Sequence, residues 1–397
     1  MFVFDDLLRT DASISKRNET TFSFLNRAAG DYWDQVRKLV EDWIGVFPAA
    51  ARSDIVGRLR SSNRHFAAAF WELYLHETFV RSGFEVVVHP SVNSGSRPPD
   101  FFVSRREEAF HVEAKSLFEG VLDSGAEARR DRQYDSLDGL RSPNFFLSVE
   151  CYDVGPREAS ARGLCRELEA WLGSLNPDEG SLLAFGEQDG ERCRWEADGW
   201  LLEFRPIPVQ AEYRGRADHR PIGMVGPGEA RVLDDAGVLR KALRKKGSAY
   251  GDLDHPLVLA INVERAFHDD DDSLDALFGT SQISFPVNSP AVAQATRAPD
   301  GYWLDRNGWR HTSVAGALIA QAVAPWLISR IEPTLRLHPV GESINPLELS
   351  DDLSIGHGWS LIVGRRSPAA VIRAFPVVGR KGQTRRPAQS RRLRSRL

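Results

Sequence analysis

The stretch Arg97-Pro98-Pro99-Asp100-Phe101-Phe102-Val103 leads into a charged turn, Arg105-Arg106-Glu107-Glu108, and returns as Phe110-His111-Val112-Glu113-Ala114-Lys115. Both flanks carry a period-2 pattern, so the segment reads as a β-hairpin. Pairing Ser104 with Ala109 across the turn sets an antiparallel register in which Val103 opposes Phe110, Phe101 opposes Val112 and Asp100 opposes Glu113. Directly opposed side chains lie about 4.5–5.5 Å apart at Cβ, and like charges there are destabilising unless compensated. A divalent cation compensates them. Lys115, two residues past Glu113, projects from the same face, so two carboxylates and an ammonium converge at the open end of the hairpin. His111 shares that face, where it contacts substrate or fills space.

Lysine is scarce in this chain: seven lysines stand among 51 basic residues. Its presence at position 115 is therefore informative, because a compact ammonium shifts its pKa on burial in a way guanidinium does not. Upstream, Asn63 to Arg81 predicts a helix with Ser62 or Asn63 as N-cap and Gly83 as its stop. The segment is apolar nearly all round, so the helix should be buried. Its two glutamates then need partners or a metal. Glu72 shares a stripe with Ala68, Leu75 and Phe79, and Glu77 falls among Phe66, Phe70, Leu73 and Val80; helical angle alone does not choose between them.

Pro99-Asp100 followed by Glu113-Ala114-Lys115 resembles the motif of the PD-(D/E)xK nuclease superfamily. Trp71-Glu72-Leu73-Tyr74-Leu75-His76-Glu77, with Gly83-Phe84 and His89-Pro90, is similar to an uncharacterised bacterial branch of it. The resemblance implies a restriction-endonuclease-like α-β-β-β-α-β core with a mixed sheet, and hydrolysis of nucleic-acid phosphodiesters with Mg²⁺, for which Mn²⁺ would substitute. It implies that Asp100, Glu113 and the Ala114 carbonyl hold the metal and that Lys115 orients or activates water. It also favours Glu72 over Glu77 as the helix carboxylate that completes the site.

The rest of the chain is read around this hairpin. Residues up to about Leu59 predict two helices, Thr20 into Ala29 and Tyr32 to Ile44, as a prefix without chemistry of its own. Phe84 to His89 predicts a valine-rich strand, whose terminal His89 reads as a hydrogen-bonding residue. The helix expected over Gly125 to Leu140 offers Arg129, Arg130, Arg132 and Gln133 to phosphate oxygens. Phe145 to Glu150 then predicts a further core strand, and Pro156 to Leu172 an amphipathic helix. Strands are expected at Leu182 to Phe185, Arg192 to Trp195 and Trp200 to Arg205, and a Gly/Pro-rich loop over Tyr213 to Ala230. The glycines of that loop, Gly223, Gly226 and Gly228, make no phosphate loop, since Pro227 intrudes and no lysine follows. Leu233 to Lys246 predicts a helix presenting Arg240, Lys241, Arg244 and Lys245 to phosphate. The apolar strand Pro256 to Val263 extends the sheet. Asp269 to Asp272 reads as an acidic helix N-terminus and lacks EF-hand spacing. Val314 to Arg330 is a buried strand or helix, and Trp359 to Val363 a last edge strand.

These elements divide the chain into a helical prefix (1–60), a nuclease-like region with an extended sheet (61–290), a C-terminal α/β elaboration (291–378) and a basic tail (379–397) expected to be disordered. At 42% hydrophobic and 27% charged, the composition is that of a globular protein. The formal charge of −4 conceals eight cationic residues in the tail. The acidic body should therefore bind nucleic acid only through local basic surfaces. The N-terminal sequence shows no signal-peptide pattern, and the longest apolar stretch is broken by Gln321 and Pro325, so a cytoplasmic protein without membrane spans is expected. Three widely spaced cysteines suit neither a disulfide framework nor zinc. DNA is expected ahead of RNA as the polymer. A silent nucleic-acid-binding module, or a partner-gated component of a bacterial defence complex, is the rival expectation, and a homo-oligomer or protein partner stays open.

Overall fold

The computed structural model describes residues 1–92, 98–118, 124–178, 191–216, 220–226, 234–265, 268–284, 294–331, 333–341 and 360–362. Helices α1 (Thr21–Arg27), α2 (Asp31–Val46), α3 (Arg52–Leu59) and α4 (Asn63–Arg81) precede strands β1 (Glu85–Val88), β2 (Phe101–Arg105) and β3 (Glu108–Phe118). There follow α5 (Ser124–Ser136), β4 (Phe145–Asp153), α6 (Ala161–Ser174), β5 (Cys193–Ala197), β6 (Trp200–Pro208), β7 (Ile222–Gly226), α7 (Asp235–Gly247), β8 (Leu257–Glu264) and α8 (Asp270–Phe278). The remaining strands are β9 (Ser281–Ser284), β10 (Gln294–Arg297), β11 (Leu304–Asp305), β12 (Gly308–Trp309), β13 (Val314–Gln321), β14 (Thr334–Leu337) and β15 (Ser360–Ile362). The fold is mixed α/β.

The main sheet runs β1-β2-β3-β8-β13-β14-β15. It is mixed: β1, β2 and β3 are antiparallel neighbours, while β8 lies parallel to both β3 and β13. The β2–β3 register is the one the hairpin pattern predicts, with Phe101 opposite Val112 and Ser104 opposite Ala109. Pairing runs one residue further than expected, to Arg105 opposite Glu108, which leaves a two-residue turn in which Arg106 takes the left-handed conformation.

The two faces of the sheet bury different partners. Phe101, Val103, Phe110, Val112 and Ala114 pack with the N-terminal helices, where Trp43 of α2 stacks on Phe70 of α4. Leu117, Leu257, Leu259 and Ile261 pack on the other side with Leu239 and Leu243 of α7. Helix α4 has the predicted bounds; the Ser62 hydroxyl accepts the His65 N–H at its start, and Gly83 follows its end at φ +80°. Its all-round apolar sequence is accounted for by α1, α2 and α3 on one side and the sheet on the other.

The structure corrects the expected order of the core. The strand β4 does not join the main sheet. It is an inner strand of a second sheet, β5-β6-β4-β7, with its own core around Leu147, Leu164, Leu168 and Trp200. The place beside β3 belongs to β8, preceded by α7, so everything from α5 to β7 is an insertion between two adjacent parallel strands. The loop expected over Tyr213 to Ala230 contains β7, paired in parallel with β4. A third prefix helix, α3, escaped the sequence reading, and Val314 to Arg330 begins as strand β13. The strand expected at Leu182–Phe185, Arg97 of the opening stretch, Gly228 and the basic tail lie outside the described residues. Among the described residues no helix is long and apolar enough to cross a membrane.

Candidate functional site

Strand β3 outlasts its neighbour. Phe101 and Val112 form the last β2–β3 pair, whereas β3 continues to Phe118, so beyond Val112 its outer edge is uncovered by β2. Asp100, one residue before β2, turns its carboxylate into this notch and accepts the Ala114 N–H at 2.8 Å. A strand residue directs its N–H and C=O to the same edge, so the Ala114 carbonyl faces the notch too. His111, of opposite parity, donates its N–H to Pro256 on the β8 side.

A cavity of about 270 Å³ opens here, and Glu72, Asp100, Glu113, Ala114, Lys115 and Lys246 are among the residues that line it. Glu72 arrives from α4, which is fixed against the sheet by the Trp71 indole donating to the Ala260 carbonyl at 3.1 Å. Glu77 is buried away from the cavity and pairs with Arg81 at 2.6 Å. The structure thus brings together Glu72, Asp100, Glu113 and Lys115 and leaves Glu77 out.

The carboxylates are unequally neutralised. Arg58 of α3 holds Glu72 in a two-pronged pair, at 2.7 and 2.6 Å. Glu113 is 1% exposed, and its two oxygens accept from the Lys246 ammonium and the Tyr250 hydroxyl. Asp100 has no ion pair of its own among the described residues. Burial, then the charges of Glu113 and Glu72, push its pKa up to about 8. Lys115 is shifted the other way: partial burial, then the neighbouring Lys246 and Lys245, lower its pKa.

Three of these partners escaped the sequence reading. Arg58 lies in the prefix that was read as having no chemistry. Lys246 belongs to the basic end of the predicted α7 helix, yet it stands seven residues after Leu239 and three after Leu243, on the stripe those leucines set, which carries it inward. The scarcity of lysine was a second signal. Tyr250 lies beyond the helix, and no periodicity marks it. Gly247, the last residue of α7, sits so close to Tyr302 that a Cβ there would come 1.9 Å from the hydroxyl oxygen.

The residues expected to contact nucleic acid are mostly committed to the protein itself. Gln133 is 2% exposed, which removes it from any phosphate surface. Arg129 donates to the Gly155 carbonyl at 3.0 Å, and Arg132 pairs with Glu158 at 2.5 Å. Arg130 pairs with Asp131 and lines a second cavity that also borders Arg64 and Phe118, residues shared with the first. On α7, Arg240 is tied to Asp300 at 2.9 Å and is a structural pair. Lys241, Arg244 and Lys245 are exposed, with Arg244 reaching the Asp300 carbonyl at 3.3 Å.

Comparison with protein-family models, with curated proteins and with solved structures finds no match to this chain.

Proposed function

We propose that this chain is a divalent-metal-dependent phosphodiesterase acting on nucleic acid, with DNA the first polymer to test. The observation that carries the reading is the convergence of Glu72, Asp100 and Glu113, from three separate elements, beside Lys115 at an open sheet edge. The donor set fits magnesium or manganese: all oxygen, few carboxylates and a cavity with room for retained waters. The charge balance fits as well. Arg58 and Lys246 neutralise two of the three carboxylates, and the third, Asp100, has its pKa raised by burial and by the charges of the other two, an imbalance that a cation would offset.

In this reading Asp100, Glu113 and the Ala114 carbonyl would hold the ion, and Glu72 would complete its surroundings from α4. The ion would supply Lewis-acid stabilisation of charge on the phosphate. Lys115, its proton affinity lowered by burial and by the neighbouring ammonium groups, orients the attacking water or accepts its proton. Lys241, Arg244 and Lys245, on the helix that delivers Lys246, give the polymer a cationic approach.

A second reading, a partner-gated nuclease, draws on one observation. Both oxygens of Glu113 are engaged by Lys246 and Tyr250, which describes a resting site that must open before metal enters. Both readings meet the same experiment. The purified chain is incubated with linear duplex, plasmid, single-stranded DNA and RNA in Mg²⁺, Mn²⁺ or EDTA, beside an Asp100→Ala, Lys115→Ala variant. Metal-dependent cleavage lost in the variant is the expected result. No cleavage of any polymer in any metal would remove the enzyme reading for the isolated chain.

A further inference from the structure

His111, Asp254 and His255 form a second group of metal-binding atoms, and it belongs to none of the chemistry above. His111 stands on β3, buried, between Phe102 of β2 and Leu257 of β8. Asp254 and His255 lie in the short segment that enters β8, fixed by the Pro256 carbonyl accepting the His111 N–H at 2.8 Å. The rings are framed by tilted and edge-on contacts: Phe102 lies 5.1 Å from His111 and 5.0 Å from His255, and the two imidazoles are 6.0 Å apart. Strand pairing and ring packing together hold the two imidazoles in place before any ligand arrives, and Asp254 reaches them from the exposed side.

Their polar atoms point to one spot. His111 Nε2 is 2.9 Å from Asp254 Oδ1, His255 Nδ1 is 3.3 Å from the same oxygen, and the three ligand atoms all lie within 4.8 Å of one another. Ligands about 2.0–2.1 Å from a tetrahedral ion are spaced roughly 3.4 Å apart, so the group needs little movement to close on one. The second observation is an orphan: the His255 side chain is partly exposed, but its Nδ1 atom is buried and, despite its 3.3 Å approach to Asp254, makes no hydrogen bond among the described residues. A buried polar atom left unpaired is costly, and an ion would satisfy it. The other His–carboxylate grouping, Asp235, His268 and Asp272, differs, because Arg265 already pairs with Asp235 and Ser273 with His268.

We infer that His111, Asp254 and His255 bind a late first-row divalent ion, of which zinc is the type, in a site separate from the carboxylate cavity. Two imidazoles and one carboxylate suit Zn²⁺, Co²⁺ or Ni²⁺ and discriminate against Mg²⁺. Asp254 is 68% exposed at its side chain, so the fourth position opens to solvent and takes a water or a small anion.

The test is Co²⁺ titration of the metal-stripped full chain, followed by visible absorption and by displacement with Zn²⁺, in wild type, His255→Ala and Asp100→Asn. His255 is partly exposed, so its removal spares the core, and thermal unfolding of each variant verifies the fold. The site gives one equivalent of Co²⁺ with ligand-field bands, displaced by Zn²⁺ and not by Mg²⁺, with affinity at least tenfold weaker in His255→Ala and unchanged in Asp100→Asn. Bands that survive His255→Ala, bands lost in Asp100→Asn, or no bands at all would overturn the assignment. None of these outcomes depends on nuclease activity.

Discussion

Replacing Lys246 by Met separates the cost of the carboxylate cavity from its use. Glu113 and Lys246 are 1% and 19% exposed at their side chains, so the pair is effectively buried. Removing one partner of such a pair costs about 3–5 kcal/mol, and the remaining bond from Tyr250 places this case near the lower figure. The metal-free variant should therefore be about 3 kcal/mol less stable than wild type. Metal binding should change in the opposite sense. In wild type an entering ion must displace the ammonium from Glu113, and two unit charges about 4 Å apart attract by about 4 kcal/mol at an effective dielectric of about 20, more at closer contact. Most of that returns when the ammonium is rehydrated, and a net gain of about 1.4 kcal/mol corresponds to tenfold tighter Mn²⁺ binding in the variant. The assays are urea unfolding with and without saturating Mn²⁺, and free Mn²⁺ by electron paramagnetic resonance, at pH 8.5, above the raised pKa of Asp100. The stability gap should shrink when Mn²⁺ is added. An undiminished gap, or weaker Mn²⁺ binding, would show that Lys246 is a structural support only and that the ion does not replace it.

Further outcomes follow from neighbouring features. Asp100 has a raised pKa in the folded chain, so the native state holds a proton that the unfolded state has released; stability is complete below the ordinary carboxylate range and is lost as pH rises toward about 8. Thermal unfolding of the metal-free chain at pH 5, 7 and 9 should show that decline, Asp100→Asn should flatten it, and an unchanged slope in the variant would assign the effect elsewhere. Gly247→Ala should cost about 1–3 kcal/mol in urea unfolding, since its Cβ would overlap the buried Tyr302 hydroxyl, and it should also shift Lys246; a neutral result would mean that Tyr302 yields freely. Asp269→Ala removes the reciprocal cap of α8, in which Asp269 and Asp272 each accept the other's backbone N–H. It should cost about 1 kcal/mol and leave cleavage intact.

What could be read from the sequence was local. The hairpin register, the bounds of α4 and the start of α8 each depend on side-chain alternation, caps or stops within a few residues. The order of strands in a sheet is decided by long-range packing instead. The run Phe145-Phe146-Leu147 looks like any buried strand, and nothing in it states that it will pair with Trp200–Pro208 and not with β3. The site divides in the same way. Asp100, Glu113 and Lys115 are legible because one hairpin carries them, whereas Glu72 and Glu77 both interrupt the apolar helix and only the family resemblance favoured Glu72. Arg58, Lys246 and Tyr250 come from elements that only the tertiary fold brings close, and their residue types alone say nothing unusual. Gln133 misled for the converse reason: in a polar segment it reads as surface, and the turn of α5 carries it inward.

The insertion between β3 and β8 has a kinetic consequence. The β1–β2–β3 meander forms from near neighbours in sequence, but the parallel β3–β8 ladder can close only after α5, the second sheet and α7 have been synthesised, and closures over such long separations are slow. Lys246 and Tyr250 arrive with that last step. During translation the acidic hairpin would therefore be complete while Glu113 still lacks its cationic partner. Refolding monitored in the second sheet and at Tyr250 should separate into a fast and a slow phase, with the cavity assembled only in the slow one.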